Sequence, residues 1–152
     1  MSIRRISLLS GFAALAMLAA GTIDTASAAS QRSNTPLTQH ADSFAKSKRG
    51  EATAGAYNSG LQIVDQFGGR KTRQTIDAKS TQNADATARS KHGAAFAEAD
   101  NSVTKILSQE GGRKQTVHAN TNQTATAKAF SKSGPATAIS SNDATVTVEQ
   151  AR

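Results

Sequence analysis

Residues 38–59 read TQHADSFAKSKRGEATAGAYNS, and residues 81–102 read TQNADATARSKHGAAFAEADNS. At an offset of 43 the two share Thr38/Thr81, Gln39/Gln82, Ala41/Ala84, Asp42/Asp85, Ala45/Ala88, Lys48/Lys91, Gly50/Gly93, Ala54/Ala97 and Asn58/Asn101, among others. The same offset carries Ile63 to Ile106, Gln66 to Gln109, and Gly68-Gly69-Arg70-Lys71 to Gly111-Gly112-Arg113-Lys114. A third copy opens at Asn122 (NQTATAKAFSKSGPATAISSN), offset by 41, and keeps Gln123, Ala125, Ala129, Lys132, Gly134 and Asn142. Self-similarity this extended marks a repeat architecture, in which each unit borrows burial from its neighbours.

Each long repeat divides again. Gly50, Gly69, Gly93, Gly112 and Gly134 are separated by 19, 24, 19 and 22 residues, and each sits in a basic, polar turn (SKRG, GGRK, SKHG, GGRK, SKSG). Between the turns, small residues alternate, as in Ala84-x-Ala86-x-Ala88 and Ala95-x-Ala97-x-Ala99; larger apolar residues (Leu61, Ile63, Val64, Ile76, Ile106, Leu107, Val117) occupy the other segments. Period two bounded by glycine is the pattern of a half-buried strand. Residues 59–66 and 102–109, each opening on Ser with apolar residues three apart, also fit short Ser-capped helices. Seven-residue helices nucleate poorly, and alanine at strict period two makes no helical face. The expected fold is therefore all-β: a repetitive strand–turn–strand β-solenoid of about twenty residues per unit, five copies and a final half (residues 144–149), partly disordered as a monomer.

Composition demands such repetition. From Ala29 onward, 16 of 124 residues are Leu, Ile, Val or Phe, below the roughly 20% under which a chain ordinarily stays disordered. That excludes a conventional two-layer domain, and the absence of Cys excludes a disulfide scaffold or Cys-ligated zinc. The first residues have another purpose. Arg4 and Arg5 precede an apolar run, Ile6 to Ala20, which leads to the small-x-small site Ala26-Ser27-Ala28. This is the layout of a secretory signal peptide, too short and interrupted to span a bilayer. Residues 1–28 are read as that signal, 29–37 as a flexible leader and 38–152 as the repeat domain. Cleavage leaves 16 basic and 10 acidic residues, a net charge of +6, and no second apolar run. The expected location is secreted, extracellular or cell-surface by way of the periplasm, with no membrane span.

Stacking units about 4.8 Å apart superposes like residues. Gln39, Gln82 and Gln123, then Asn58, Asn101 and Asn142, then Gln66 and Gln109, are the expected amide ladders along a stack roughly 25 Å high. No capping unit covers the last strand, whose TVTV segment has high β-propensity, and open edges of this kind template further chains. The turn cations Lys48, Arg49, Arg70, Lys71, Lys91, Arg113, Lys114 and Lys132 would line one edge as a cationic stripe. They read either as gatekeepers against premature aggregation or as a surface for anionic polysaccharide, lipopolysaccharide or extracellular DNA.

Ile63-Val64-Asp65-Gln66-Phe67-Gly68-Gly69 and Ile106-Leu107-Ser108-Gln109-Glu110-Gly111-Gly112 resemble the Q-x-G-x-G turn entry of curlin repeats. The unit length, the alternating alanines and the C-terminal Val146-Thr147-Val148-Glu149-Gln150 are similar to that family too, in a divergent form whose turns continue Arg70-Lys71 or Arg113-Lys114. The resemblance implies a structural subunit of extracellular, curli-type amyloid fibres serving adhesion and biofilm matrix, whose partners are further copies of itself and a related fibre subunit. The alternative is a soluble secreted or periplasmic polyanion-binding module, monomeric or disordered until bound.

Catalysis has no motif behind it. His40, His92 and His118 share no repeat position and lack a carboxylate at ligand spacing, so no metal or other cofactor is expected. Serines recur at repeat positions without a general base, and no phosphate-binding loop is present, so the chain reads as a non-enzyme.

Overall fold

The computed structural model describes residues 14–20, by their backbone, and residues 30–151. These form strands β1 (Ala14–Ala20), β2 (Ser30–Ser47), β3 (Ala52–Gly68), β4 (Arg73–Ser90), β5 (Ala95–Gly111), β6 (Lys114–Ser131) and β7 (Ala136–Ala151), with no helix among the described residues. Successive strands alternate between two wholly parallel sheets, ordered β1-β3-β5-β7 and β2-β4-β6. A rung is therefore one strand from each sheet: β2 with β3, β4 with β5, β6 with β7. The two segments that also fit short helices, residues 59–66 and 102–109, lie inside β3 and β5. As strands, their backbone groups pair along the stack, which a short helix could not match.

Register follows the repeat. β2 pairs with β4 and β3 with β5 at an offset of 43, while β4 pairs with β6 and β5 with β7 at 41. The two-residue difference falls in the turn between β5 and β6, residues 112–113, against residues 69–72 in the rung before. A deletion inside a strand would break the columns of like residues; in the turn it leaves them aligned.

Three expectations need correction. The twenty-residue unit is a single long strand plus its turn, not a strand–turn–strand, because no chain reversal occurs between consecutive turns. Each long repeat contributes one strand to each sheet, and among the described residues β2–β7 make three such pairs rather than five and a half. Residues 30–37 are not a leader: Ser30–Leu37 opens β2, with Gln31, Ser33, Thr35 and Leu37 buried at alternate positions and Gln31 in register with Gln74. Pro36 is admissible there because β2 is an edge strand. The apolar stretch of residues 1–28 includes β1, which pairs in parallel with Gly55–Leu61 of β3; the cleavage site expected at 26–28 lies outside the described residues.

The interior is thin and segmented. One cluster is wholly alanine (Ala41, Ala45, Ala52, Ala54, Ala56 and their register partners), and a second joins Val64, Ile76, Ala78 and Leu107. Alanine is a mediocre strand former, but packing overrides propensity here, since small side chains let two flat sheets approach. Where a large residue does point inward, its opposite number shrinks: a Cβ on Gly60 would stand 2.4 Å from Leu37 Cδ2. The strict alternation also turns Leu61, Ile63 and Ile106 outward, leaving only part of the larger apolar set in the core.

Candidate assembly interface

Columns of buried amides flank the aliphatic cluster on both sides. Gln82 Nε2 donates to Gln39 Oε1 (2.6 Å) and Gln123 Nε2 to Gln82 Oε1 (2.7 Å); Gln109 Nε2 donates to Gln66 Oε1 and Gln150 Nε2 to Gln109 Oε1 (both 2.9 Å). The asparagine column runs the other way: Asn58 Nδ2 donates to Asn101 Oδ1, and Asn101 Nδ2 to Asn142 Oδ1, each at 2.9 Å. The second N–H of each amide crosses to the facing sheet. Gln39, Gln82 and Gln123 reach the carbonyls of Ser59, Ser102 and Asp143, while Asn58 and Asn101 reach Asn83 and Thr124. Each ladder thus ties rung to rung and sheet to sheet.

A further glutamine column, Gln31–Gln74–Gln115, was not among the expected ladders, nor was Gln150 at the top of the Gln66 column. Both follow from the same two offsets, and Gln31 was hidden by reading residues 29–37 as a leader. Also missed was an inward Lys105 in register with Gln62. Its side chain has 0% exposure, and its ammonium donates to the carbonyls of Ala78 (2.9 Å) and Asn120. Burial pushes its pKa below the ordinary 10.5.

The ladders end unequally. At the first rung, Asn58 Oδ1 and Gln62 Oε1 are buried without a hydrogen-bond partner among the described residues. Met17 of β1 occupies the register position against Asn58. At the last rung β7 is exposed along its whole length, including Ile139 (45%), Val146 (44%) and Val148 (45%). Both sheets finish there in strands, β6 and β7, that have a neighbour on one side only.

The turns stack as the strands do. Gly50 N–H donates to the His92 carbonyl (2.7 Å) and Gly93 N–H to that of Ser133 (3.1 Å), while Ser90 and Ser131 hydroxyls bond the carbonyls of Gly50 and Gly93. Gly93, at φ +132°, has no room for a side chain: a Cβ would stand 2.3 Å from Gly50 O. Gly112 and Gly134 also have positive φ, whereas Gly69 does not and its Cβ would meet nothing closer than 3.9 Å.

The expected single cationic stripe is corrected to two. Lys48, Arg49, Lys91 and Lys132 lie at one end of the strands, and Arg70, Lys71, Arg113 and Lys114 at the other, about 55 Å away for a seventeen-residue strand. Successive strands run to opposite ends as they alternate between the two parallel sheets, so consecutive basic turns cannot share an edge. Of the histidines, exposed His40 pairs with Asp42 (2.8 Å) and His92 with the Ser133 hydroxyl (3.2 Å). No group of three His, Cys, Asp or Glu suited to a metal occurs among the described residues. No helix among the described residues is long and apolar enough to cross a membrane. Comparison with protein-family models, curated proteins and solved structures finds no match.

Proposed function

We propose that this chain is a structural subunit that polymerises by stacking copies head to tail, as a β-solenoid, into extracellular fibres of the kind its resemblance to curlins implies, for adhesion and biofilm matrix. The observation that carries the reading is the buried acceptor Asn58 Oδ1 at one end of a directional ladder whose donor end, Asn142, lies on an exposed strand. With β1 removed that acceptor lies on an open edge strand, where only water or a donor in register can satisfy it.

A second copy placed one rung beyond β6 and β7, in the same register, meets that need. Its Asn58 would accept from Asn142, and its His40 carbonyl, in register with those of Asn83 and Thr124, would take the other Asn142 N–H. Gln115, Gln123 and Gln150 would meet Gln31, Gln39 and Gln66 of the added copy, so all four ladders continue across the junction, while Pro36, now between two strands, leaves one backbone acceptor of β6 without a donor. β1 lies along the β3 edge that this copy would offer. Removal of the N-terminal segment, as its signal-peptide layout implies, opens that edge.

The test is to purify the chain lacking residues 1–28 and follow thioflavin T fluorescence, electron micrographs and fibre diffraction. Fibres with a meridional spacing of about 4.8 Å are expected. Asn142→Leu should slow elongation by about tenfold, the value of one hydrogen bond of about 1.4 kcal/mol at the junction. A chain that stays monomeric, or that gains structure only when a polyanion is added, would refute the fibre reading in favour of the soluble binding module.

A further inference from the structure

The two outer faces of the stack carry opposite charge. Among the described residues, the outward positions of β3, β5 and β7 hold Asp65, Glu98, Asp100, Glu110, Asp143 and Glu149 and no lysine or arginine. None of these six carboxylates makes an ion pair among the described residues. The outward positions of β2, β4 and β6 hold seven cations, Lys79 and Lys128 among them, against Asp42, Asp77 and Asp85. Two of those three acids are already held, Asp77 by Arg32 and Asp42 by His40 (both 2.8 Å).

The charges fall in bands. On the acidic face Glu98, Asp100 and Asp143 lie on the side of the 91–94 turn, and Asp65, Glu110 and Glu149 on the other. Leu61, Ile63 and Ile106 form a partly exposed apolar strip between them. On the basic face Lys46, Arg89 and Lys128 lie at the first end and Arg32, Arg73 and Lys114 at the second, with Lys79 between. An apolar strip rimmed by charge has the anatomy of a docking surface. The negative field acts locally on Tyr57, which donates its hydroxyl to Glu98 (2.8 Å). That bond, partial burial and the charges of Glu98 and Asp100 raise the phenol above its ordinary 10.0.

Head-to-tail growth adds to the acidic field, since Glu149 would stand in register with Asp65 of the next copy. A cationic surface with the same rung spacing offsets it, and the basic face of another stack is such a surface. A single exposed ion pair contributes little; repetition at every rung makes the sum large. One copy offers a face of roughly 55 by 14 Å, about 800 Å2, the area that one partner gives to a standard interface.

From this geometry we infer that the acidic face of the β3-β5-β7 sheet docks against the basic face of the β2-β4-β6 sheet of a second copy of this chain, so that stacks associate side by side. The length of the contact rests on the head-to-tail reading; the complementarity of the faces does not.

The experiment assembles the chain lacking residues 1–28 and counts single, paired and bundled fibres by electron microscopy across a salt series. Side-by-side association is expected at about 20 mM salt and should be lost by about 1 M, where charges are screened within about 3 Å. D100K/E110K/D143K and R73E/K79E/K128E should each still form fibres, but with the associated fraction lowered at least about fivefold. The second variant takes the net charge from +6 to zero, so general charge repulsion between fibres predicts more bundling, not less. Mixing the two preformed samples should restore pairs, because the intact basic face of the first variant then meets the intact acidic face of the second. Bundling unchanged in either variant, no pairing in the mixture, or unaltered fibres that stay single at low salt would each overturn the inference and leave the polymer reading standing. Single fibres that bind poly-lysine through the acidic face would assign that face to a cationic partner instead. If no fibres form, the polymer reading fails. Sedimentation of the monomers at low salt then decides the faces alone: a dimer lost in both variants and regained in their mixture supports the pairing, and any other result overturns it.

Discussion

Replacing Lys105 by glutamine should leave stability at neutral pH nearly unchanged and abolish its rise at alkaline pH. Lys105 carries a charge into a fully buried position with no carboxylate beside it, its ammonium held only by the carbonyls of Ala78 and Asn120. One rung earlier the same column holds Gln62, whose Nε2 spans the carbonyls of Thr35 (2.6 Å) and Lys79 (3.1 Å) while its Oε1 has no partner among the described residues. A glutamine at 105 could donate one N–H to Gln62 Oε1, as Gln82 does to Gln39, and the other to the Ala78 carbonyl. Satisfying that acceptor contributes about 1–3 kcal/mol, but the new Oε1, with Val146 in register above it, becomes a buried acceptor of the same cost. Losing the charge forfeits two charge-assisted bonds of about 1.5–3 kcal/mol each but removes a desolvation cost of several kcal/mol. With both pairs of contributions offsetting, the net change is within about 1 kcal/mol. In urea, with a slope of roughly 1–3 kcal/mol/M, the midpoint of the unassembled chain should move by less than about 0.5 M. The pH dependence gives an independent reading. The folded pKa of Lys105 lies below 10.5, so in the window between that depressed value and 10.5 the unfolded chain holds more protons on this residue. Stability therefore rises with pH across the window and is lowest below it; K105Q should lose this component. A urea midpoint shifted by more than about 1 M in either direction, or an unchanged rise with pH, would refute the reasoning.

Gly93→Ala should destabilise by at least about 1–3 kcal/mol from its backbone conformation alone, with the contact to Gly50 O adding to it. Gly69→Ala should be nearly neutral, and paired thermal melts would separate them. Deleting residues 144–152 removes the C-terminal half of the exposed β7, including Val146, Val148 and Gln150. Assembly should slow while the first two rungs keep their strand signal in circular dichroism; unchanged thioflavin T kinetics would contradict the role of that edge.

Much of the fold can be read from the chain because the repeat is nearly a register table. The offsets of 43 and 41 between like residues are the offsets between paired strands, and strict alternation named the alanines of the core. What misled was reading local punctuation as topology. Pro36 and the polar run around it suggested a leader, yet the alternation of Gln31, Ser33, Thr35 and Leu37 continues the strand. Lys105 escaped notice because a lysine beside Ile106 and Leu107 looks solvent-facing. The pleat nevertheless sends Lys105 and Leu107 inward and Ile106 outward.

The amino-acid sequence by itself determined the strand positions, the columns of identical side chains and the need for stacking, since alternation and repetition are local properties and the apolar content is too low for any other core. The tertiary structure decided which turns share an end, which acceptors are left unpaired and which cation is buried. Those depend on how two sheets face each other across the winding, and no spacing along one chain encodes that distance.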